Sequence, residues 1–372
     1  MNNKVISVFY HQQKVGRIAQ TPQRLCAFEY DGNWLSSGFP ISPFKLPLQK
    51  QVFIAPREPF DGNFGVFNDS LPDGWGRLLI DRLLLKKGLK PAEVSVLDRL
   101  ALVGKSGMGA LEYQPEETWT FSAAGATDIR RLAEEVSEIL HDKQLPDKTF
   151  FDLVKLGGSS GGARPKALIK IQGEDWIVKF PARNDHTDIG HEEYQYSLLA
   201  REAGLDFPET RLLDGEYFAV KRFDRRDHHK IHMLSLSALL DASHRFPSLD
   251  YVDALLATLK LTRDYREAEK MYRLMCFNVL THNRDDHAKN FSFLYIADKW
   301  VLSPAYDLTY AEGPGGEHST AIDGEGKSPS GAHILSAARK AGLDLKHAQD
   351  ILAEVSKATQ GLCLKSQVNS GF

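Results

Sequence analysis

The sequence predicts an α+β protein in which a β-rich N-terminal part, a small α+β lobe and a mainly helical lobe follow one another. Three observations carry this prediction. Apolar and polar residues alternate in 4–30, as they do in half-buried β-strands. Two strand-like runs, 167–171 and 176–180, follow a glycine-rich segment. After Met233, apolar residues recur mostly at helical spacing.

The composition is that of a folded protein with sizeable cores, because 42% of the 372 residues are apolar and 26% are charged. The 46 Lys and Arg nearly balance the 49 Asp and Glu, so we expect no dominant cationic surface for nucleic acid. Membrane association is not expected either, since no apolar run approaches the roughly 18 residues that span a bilayer. Three widely separated cysteines predict neither a disulfide framework nor a Cys-rich zinc site. We expect a cytoplasmic protein.

Breaks in these patterns define three predicted domains. The first spans 1–115 and ends where a Gln-Pro-Glu-Glu stretch interrupts the strand and helix patterns. The second spans 116–225 and contains the glycine-rich segment with its two strands. The third spans 226–372 and is mainly helical.

The segment 283–290 contains the strongest local signal for chemistry. Asp285 and Asn290 have the Asp-x-x-x-x-Asn spacing of the protein-kinase catalytic loop, and Asp307 follows at the place of a second metal-binding residue. Phosphoryl transfer from ATP needs a carboxylate beside the attacking hydroxyl and oxygen ligands for Mg²⁺. The alternative is a polar helix terminus capped by Asp and Asn, and the presence of Asp307 in the right order argues against it.

The glycine-rich segment 157–162 is the second signal. Its backbone N–H groups can converge on an anion, although the segment lacks the Walker A order. The second strand after it ends in Val178-Lys179-Phe180, and Lys179 stands where a kinase places the lysine that contacts the α- and β-phosphates. Glu193, or its neighbour Glu192, would orient this lysine from the next predicted helix. A flexible linker and a solvated lysine are the alternatives.

The apolar strand 217–223 could join two lobes and offer its backbone to adenine, but many buried strands also end in polar residues.

Two other enzyme classes fit less well. The segment 157–161 matches the Gly-x-Ser-x-Gly elbow of esterases formally, yet a strand rather than a helix follows it. His228 and His232 have zinc-type spacing, but no Glu follows the first of them, which argues against a metalloprotease.

These elements, in this order, resemble the HipA family of bacterial toxin kinases over most of the chain. The region 68–75 also looks like part of that family's small N-terminal subdomain. The segments that carry the resemblance are Ser159-Ser160-Gly161-Gly162-Ala163-Arg164-Pro165-Lys166, Lys179-Phe180-Pro181, Glu193-Tyr194, Val220-Lys221-Arg222-Phe223-Asp224-Arg225, Asp285-Asp286-His287-Ala288-Lys289-Asn290-Phe291-Ser292 and Pro304-Ala305-Tyr306-Asp307.

The resemblance implies a two-lobed, protein-kinase-like fold related to lipid kinases, with a β-rich N-terminal subdomain and N-lobe and a mainly helical C-lobe. It also implies serine/threonine protein phosphorylation with ATP and Mg²⁺ by the toxin of a toxin–antitoxin pair. The implied partners are a HipB-like helix-turn-helix antitoxin and a protein substrate such as an aminoacyl-tRNA synthetase. DNA would be contacted only through the antitoxin.

By the same resemblance, Asp285 is the catalytic base, and Asn290 and Asp307 bind Mg²⁺. Lys179 holds the ATP phosphates and Glu193 orients it. Autophosphorylation for self-inactivation falls on Ser159 or Ser160. The other residues implied to bind ATP are Gly161, Gly162, Ala163, Arg164, Pro165, Lys166, Lys221, Arg222, Phe223, His287, Lys289 and Asn290.

The helical part after Asp307 looks short compared with long members of the family, and the chain departs from the family pattern at two further points. Arg164-Pro165 stands where several relatives have Gln-Glu, and Lys221 replaces a residue that is commonly acidic. Two other functions stay open: a catalytically silent module that docks an antitoxin and assists repression, and a kinase for a small molecule or lipid. The complete set of proposed site carboxylates argues against the silent module.

Overall fold

The computed structural model describes residues 4–117, 128–158, 162–186, 188–227, 229–243, 246 and 248–369. The chain divides into two compact units. The first unit comprises Met1–His191 and Thr210–Leu234, and the second comprises Glu192–Glu209 and Ser235–Phe372. Strands and helices are mixed in the first unit, and helices dominate the second, so the predicted α+β class is confirmed.

The first unit begins with an antiparallel sheet. Alternate side chains such as Ile6, Val8 and Phe28 are fully buried, which is the physical basis of the alternation in the sequence. The strands are β1 (Val5–Tyr10), β2 (Gln13–Gln20), β3 (Cys26–Tyr30), β4 (Val52–Ile54) and β5 (Leu111–Gln114), and their order across the sheet is β4-β3-β2-β1-β5.

Four helices of the first unit lie between these strands in sequence. The last of them is closed at its start by a capping box between Ser95 and Asp98, and it ends at Gly104, whose φ of +50° takes the chain out of the helix. The helices are α1 (Gly32–Ser37), α2 (Gly65–Asn68), α3 (Gly74–Lys86) and α4 (Val96–Val103), with a 3-10 turn at Pro91–Glu93 before α4.

A second antiparallel sheet in the first unit contains the predicted strand pair. Trp176 and Val178 of this sheet share one hydrophobic core with Trp75 and Leu79 of α3 and with Phe150. The strands are β6 (Lys166–Ile171), β7 (Glu174–Lys179), β8 (Thr210–Leu213) and β9 (Tyr217–Lys221) in the order β6-β7-β9-β8, and the packed helices are α5 (Ile129–Leu140) and α6 (Asp147–Gly157).

The second unit is mainly helical, as the spacing of apolar residues predicts. Its hairpin pairs strand β14 (Ser292–Ile296) with strand β15 (Lys299–Leu302), and a 3-10 turn at 288–290 precedes β14. The remaining elements of the chain are α7 (Ile189–Glu202), β10 (Arg225–Arg226), β11 (His229–Lys230), β12 (His232–Ser235), α8 (Leu236–Leu240), β13 (Leu249–Asp250), α9 (Tyr251–Thr262), α10 (Tyr265–Leu280), β14 (Ser292–Ile296), β15 (Lys299–Leu302), β16 (Thr320–Ala321), α11 (Gly331–Lys340) and α12 (Leu345–Asn369).

The start of helix α9 and the end of helix α10 matter for the site. The Asp250 carboxylate caps α9, and β13 with β16 forms a short parallel pair that joins Leu249 to Thr320. α10 ends at Thr281, whose hydroxyl donates to the carbonyl oxygen of Phe277 at 2.8 Å.

Within the described residues, none of the helices combines the length and the apolar character that a bilayer crossing requires.

Candidate active site

The predicted catalytic loop leaves the end of α10 and is fixed to that helix. The backbone N–H of Asn283 donates to the carbonyl oxygen of Asn278 at 2.9 Å, and its side-chain amide donates to the side-chain oxygen of Asn278 at 3.0 Å. Both asparagines are buried. The loop therefore starts from a rigid support rather than from a freely moving helix end.

Asp285, the predicted base, is accessible to a substrate hydroxyl, because its side chain is 61% exposed. Its carboxylate lies 3.8 Å from Nε2 of His287, a half-buried residue of the same loop. The side-chain amide of Asn290 donates to the backbone carbonyl oxygen of Asp285 at 2.6 Å. This bond directs the Nδ2 atom of Asn290 into the loop, so the Oδ1 atom is the one that can coordinate a cation.

Asp307 lies on a backbone segment that adjoins the catalytic loop. The hydroxyl of Tyr306 donates to the carbonyl oxygen of Lys289 at 2.6 Å and lies 2.6 Å from the Ser292 hydroxyl. The immediate neighbours of Asn290 and Asp307 are thus in contact. Asp307 itself has a φ of +52°, the left-handed region that Asp adopts more readily than most residues and that is over-represented at functional sites.

The chemistry of Asn290 and Asp307 fits a magnesium ion that a nucleotide helps to hold. Mg²⁺ takes oxygen ligands, and phosphotransferases hold it with one or two carboxylates and the substrate phosphates. An amide oxygen and a carboxylate meet that requirement. Among the residues that the structure describes, there is no group of three or more His, Cys, Asp or Glu that could hold a metal without such a substrate.

The residue next to the predicted base, Asp286, has the opposite environment. Its side chain is fully buried and accepts hydrogen bonds from the Tyr251 hydroxyl at 2.9 Å and from Nδ1 of His318 at 2.8 Å. Burial, and then the negative charge of Asp286, raise the pKa of Tyr251 well above its usual value. Sequence reasoning assigned no role to Asp286, because its partners lie about 30 residues away on either side and leave no local pattern.

In the first unit, the described part of the glycine-rich loop begins at Gly162; Ser159, Ser160 and Gly161 lie outside the described residues. The N–H of Gly162 donates to the carboxylate of Asp73, and its carbonyl oxygen accepts from the N–H of Trp75 at 3.2 Å. Asp73 occupies the N-cap position of α3, yet its carboxylate makes no cap bond within that helix. The loop is therefore held by the start of α3.

Gly74 completes this contact between α3 and the loop. A Cβ atom at Gly74 would lie 2.5 Å from the Cα atom of Ala163, and the φ of Gly74 is +42°. Only glycine combines that conformation with so close an approach of two backbones. The loop then enters β6 at Lys166, whose carbonyl oxygen accepts from the indole N–H of Trp75 at 3.1 Å.

The charged side chains that follow the loop lie close to one another or to carboxylates. Lys166 is buried and pairs in register with Lys179 across β6 and β7. Arg164, predicted to bind ATP, places its guanidinium 3.3 Å from Asp185. The carbonyl oxygen of Pro165 accepts from the N–H of Phe180 at 2.9 Å. These contacts keep the end of the loop on the sheet.

Lys179 and Glu193 occupy the predicted elements. Lys179 is the last residue of β7, and its Nζ atom lies 5.6 Å from the centre of the Phe218 ring. Glu193 lies on α7 and is buried. Glu192 accepts from the Thr309 hydroxyl at 3.4 Å. The orientation of Lys179 by Glu193 stays a prediction.

The predicted adenine-binding residues have side chains that contact protein groups. Lys221 is 2.5 Å from Glu174, and the buried guanidinium of Arg222 is 2.8 Å from Asp224. The backbone N–H of Arg222 donates to the carbonyl oxygen of Asp175 at 2.9 Å. A role of Lys221, Arg222 and Phe223 toward adenine therefore rests on the other backbone groups of this segment.

The buried carboxylate of Asp224 organises a cluster that sequence reasoning did not identify. It accepts from the N–H of Gly109 at 2.8 Å and from Arg225 at 2.8 Å, and Arg225 also donates to the carbonyl oxygen of Gly107 at 3.0 Å. Burial tends to raise the pKa of Asp224, but Arg222 and Arg225 outweigh it and hold the pKa at about 2. The cluster joins the end of β9 to the loop before β5.

His232 is buried within the first unit. Its Nε2 atom lies 2.8 Å from the carbonyl oxygen of Ile41, and burial lowers its pKa to about 4. His228, the other histidine at zinc-type spacing, lies outside the described residues.

The fold and these loops define a protein of the kinase-like HipA class, and sequence comparison agrees with that class. The HipA N-terminal domain matches residues 6–114, and the HipA-like C-terminal domain matches residues 158–362. The chain therefore belongs to the HipA family, as its sequence motifs predicted.

Several named relatives are similar to this chain. "Putative kinase Y4dM" of Sinorhizobium fredii is 28% identical over 65% of this chain and 61% of its own length. "Putative kinase Y4mE" of the same organism is 28% identical over 83% of this chain and 77% of its own length. "Serine/threonine-protein kinase toxin HipA" of Shewanella oneidensis is 24% identical over 76% of this chain and 69% of its own length.

A solved structure shares the fold. It is described as the Shewanella oneidensis MR-1 toxin–antitoxin system HipA, HipB and its operator DNA complex. The matched chain is 20% identical, with a TM-score of 0.72 over 96% of this chain and 91% of that chain. The predicted HipA-type, kinase-like fold is thus confirmed.

Proposed function

We propose that this protein is a serine/threonine protein kinase that uses ATP and Mg²⁺ and acts as the toxin of a HipA–HipB-like pair in the cytoplasm. The observation that carries the proposal is the arrangement of the catalytic loop. Asp285 is exposed, Asn290 is bonded to the backbone of Asp285, and the segment of Asp307 contacts the residue before Asn290. A base and two oxygen ligands at this spacing are what phosphoryl transfer requires.

Each residue has a defined task in this proposal. Asp285 accepts the proton of the attacking serine or threonine hydroxyl. The side-chain oxygens of Asn290 and Asp307 hold Mg²⁺, which when bound neutralises charge on the transferred phosphoryl group. Lys179 binds the nucleotide phosphates, together with the backbone of the glycine-rich loop.

In this proposal the protein inactivates itself by phosphorylating a serine of the glycine-rich loop. Transfer of a phosphoryl group to Ser159 or Ser160 would add about −1.5 to −2 charges beside the place where the nucleotide phosphates bind. The added charge would repel ATP and so stop further transfer. This step belongs to the proposal, as do a HipB-like antitoxin as partner and a translation component such as an aminoacyl-tRNA synthetase as substrate.

The experiment that tests the proposal incubates the purified protein with ATP labelled at the γ-phosphate, Mg²⁺ and a bacterial lysate. Asp285→Asn removes the base at constant size. Asp298→Asn makes the same change at an exposed position in the turn of the β14–β15 hairpin and serves as the control. We expect labelled protein with the unmutated chain and with Asp298→Asn, and at least about a hundredfold less with Asp285→Asn.

The other candidate functions give different outcomes. A kinase for a small molecule or lipid would leave protein unlabelled and place the label in a metabolite or lipid fraction. A silent antitoxin-binding module would transfer no label, and it would behave identically with and without Asp285. Either outcome rejects the proposal.

A further inference from the structure

The buried carboxylate of Asp286 connects three separate segments of the second unit. It accepts hydrogen bonds from the Tyr251 hydroxyl on α9 and from Nδ1 of His318. It also accepts from the backbone N–H of Ser319 at 2.8 Å and from that of Thr320 at 3.3 Å. The hydroxyl of Thr320 donates to the backbone carbonyl oxygen of Asp286. Asp286 therefore holds the chain around residue 319 directly against the catalytic loop.

The same carboxylate is tied back to the start of that loop. The Tyr251 hydroxyl, which donates to Asp286, accepts from the side-chain amide of Asn278 at 2.9 Å. Asn278 in turn accepts from the side chain of Asn283 at 3.0 Å. The chain of bonds runs from α10 through α9 to Asp286 and returns to the loop two residues before Asp285. Because all of these groups are buried, breaking one bond leaves a polar atom without water.

The segment 309–328 depends on such contacts for its position. Its short elements are the two-residue strand β16 and a 3-10 turn at 314–316. The Arg284 carbonyl oxygen accepts from the N–H and the hydroxyl of Ser319 at 3.2 and 3.0 Å, and the N–H of Ala311 donates to the carbonyl oxygen of His282 at 3.1 Å. The catalytic loop and this segment are thus one hydrogen-bonded assembly with Asp286 at its centre.

We infer that Asp286 and His318 are positioning residues of the kinase reaction, an inference that rests on the proposed function. They act through the backbone. Asp286, anchored by its buried carboxylate, directly follows Asp285, and His318 holds the segment downstream of Asp307 on the same carboxylate. The hydrogen bonds that Asp286 accepts from His318, Ser319 and Thr320 hold this downstream segment in place.

Two variants of His318 separate the bond from the bulk of the side chain. His318→Ala removes the donor to Asp286. His318→Asn restores a donor, because the Nδ2 atom of Asn occupies nearly the place of Nδ1 of His. The matched control is Glu267→Gln, a buried carboxylate of α10 that accepts from the N–H of Leu302 at 2.7 Å and keeps an acceptor after the change.

The first measurement is amide hydrogen exchange of the full chain, which needs no activity. We expect faster exchange at Ser319 and Thr320 and in 283–290 with His318→Ala, and exchange near that of the unmutated protein with His318→Asn. Glu267→Gln should leave exchange in these segments unchanged. Unchanged exchange with His318→Ala would overturn the inference.

The second measurement is kcat and KM for ATP, taken well below the melting temperature of every variant. A misplacement of about 1 Å costs roughly a hundredfold in rate, so we expect His318→Ala to lower kcat by roughly 10- to 100-fold. KM for ATP should stay within about twofold, and His318→Asn should recover most of kcat. Faster exchange with unchanged kcat would also overturn the inference. Absence of transfer by the unmutated protein would reject the proposed function instead, and exchange would then decide the positioning role alone.

Discussion

The side-chain amide of Asn290 donates to the backbone carbonyl oxygen of Asp285 over 2.6 Å. The bond links the predicted metal ligand to the backbone of the predicted base, so it holds the Asn290 side chain against the carbonyl group of Asp285. It also distinguishes the two ends of the Asn290 side chain, because the nitrogen is committed to the loop and the oxygen remains for a cation.

Asn290→Asp tests this division of roles. The substitution replaces the donor with an oxygen that repels the Asp285 carbonyl, while it adds a carboxylate that can still ligate a metal. We expect kcat/KM for phosphoryl transfer to fall by roughly a hundredfold or more, because the loop loses its internal bond. Asn33→Asp, the same change at an exposed position of α1, is the control and should leave kcat/KM unchanged. Activity within threefold of the unmutated protein would contradict the assigned orientation.

Asp73→Asn should strengthen nucleotide binding. The Asp73 carboxylate accepts the N–H of Gly162, one of the groups predicted to face the ATP phosphates. Asn keeps an acceptor oxygen there and removes a negative charge, so we expect about three- to tenfold tighter binding of a non-hydrolysable ATP analogue by calorimetry. Asp73→Ala, which removes both the charge and the bond, should gain less than Asn does. Weaker binding with Asp73→Asn would show that the charge itself is needed to hold the loop.

Gly74→Ala should destabilise the protein more than Gly88→Ala does. Both glycines have positive φ, at +42° and +73°, so alanine is strained at either position. At Gly88 no atom lies within 4 Å of the added Cβ, whereas at Gly74 the Cα atom of Ala163 is 2.5 Å away. We expect a loss of about 1 kcal/mol in the free energy of unfolding at Gly88 and a clearly larger loss at Gly74, measured in urea. Equal losses would mean that α3 does not hold the glycine-rich loop.

Acidification should destabilise the first unit through His232. Burial lowers the folded-state pKa of His232 to about 4, whereas its ordinary value is 6.5. Below pH 6.5, His232 therefore binds a proton in the unfolded chain but stays neutral in the folded chain. The free energy of unfolding decreases as the pH falls from 6.5 to about 4. The loss is about 1.4 kcal/mol per pH unit and roughly 3 kcal/mol in all.

His232→Gln isolates this contribution. The Nε2 atom of Gln can still donate to the carbonyl oxygen of Ile41, but the side chain does not titrate. The free energy of unfolding of the variant, relative to that of the unmutated protein, should rise by roughly 2 to 3 kcal/mol between pH 7 and pH 4.5. A constant difference across that range would contradict the assigned pKa.

The class of fold could be predicted, and candidate site residues could be named, because the signals are local. The alternation in β1 and β2 and the five-residue spacing of Asp285 and Asn290 both arise within a few residues of backbone. Such patterns record the period of a helix, a strand or a loop directly. The family resemblance rests on the same local motifs.

The neighbouring aspartates Asp285 and Asp286 show where local pattern stops being informative. The Asp-x-x-x-x-Asn spacing selects Asp285 as the base but gives no role to Asp286. In the structure Asp285 is exposed, whereas Asp286 is enclosed by Tyr251 and His318. Asp73 is a second case, because it stands at the start of α3 while its carboxylate accepts from the N–H of Gly162, 89 residues away.

The sequence by itself thus determined the family, the elements and the residue types that a kinase site needs. Only the tertiary structure decided which carboxylate faces solvent, which is a structural acceptor and which backbone supports the glycine-rich loop. The physical reason is that packing between distant segments sets the burial and the hydrogen-bond partners of a side chain. The energy of a charged group depends on this burial and on these partners far more than on its neighbours in the sequence.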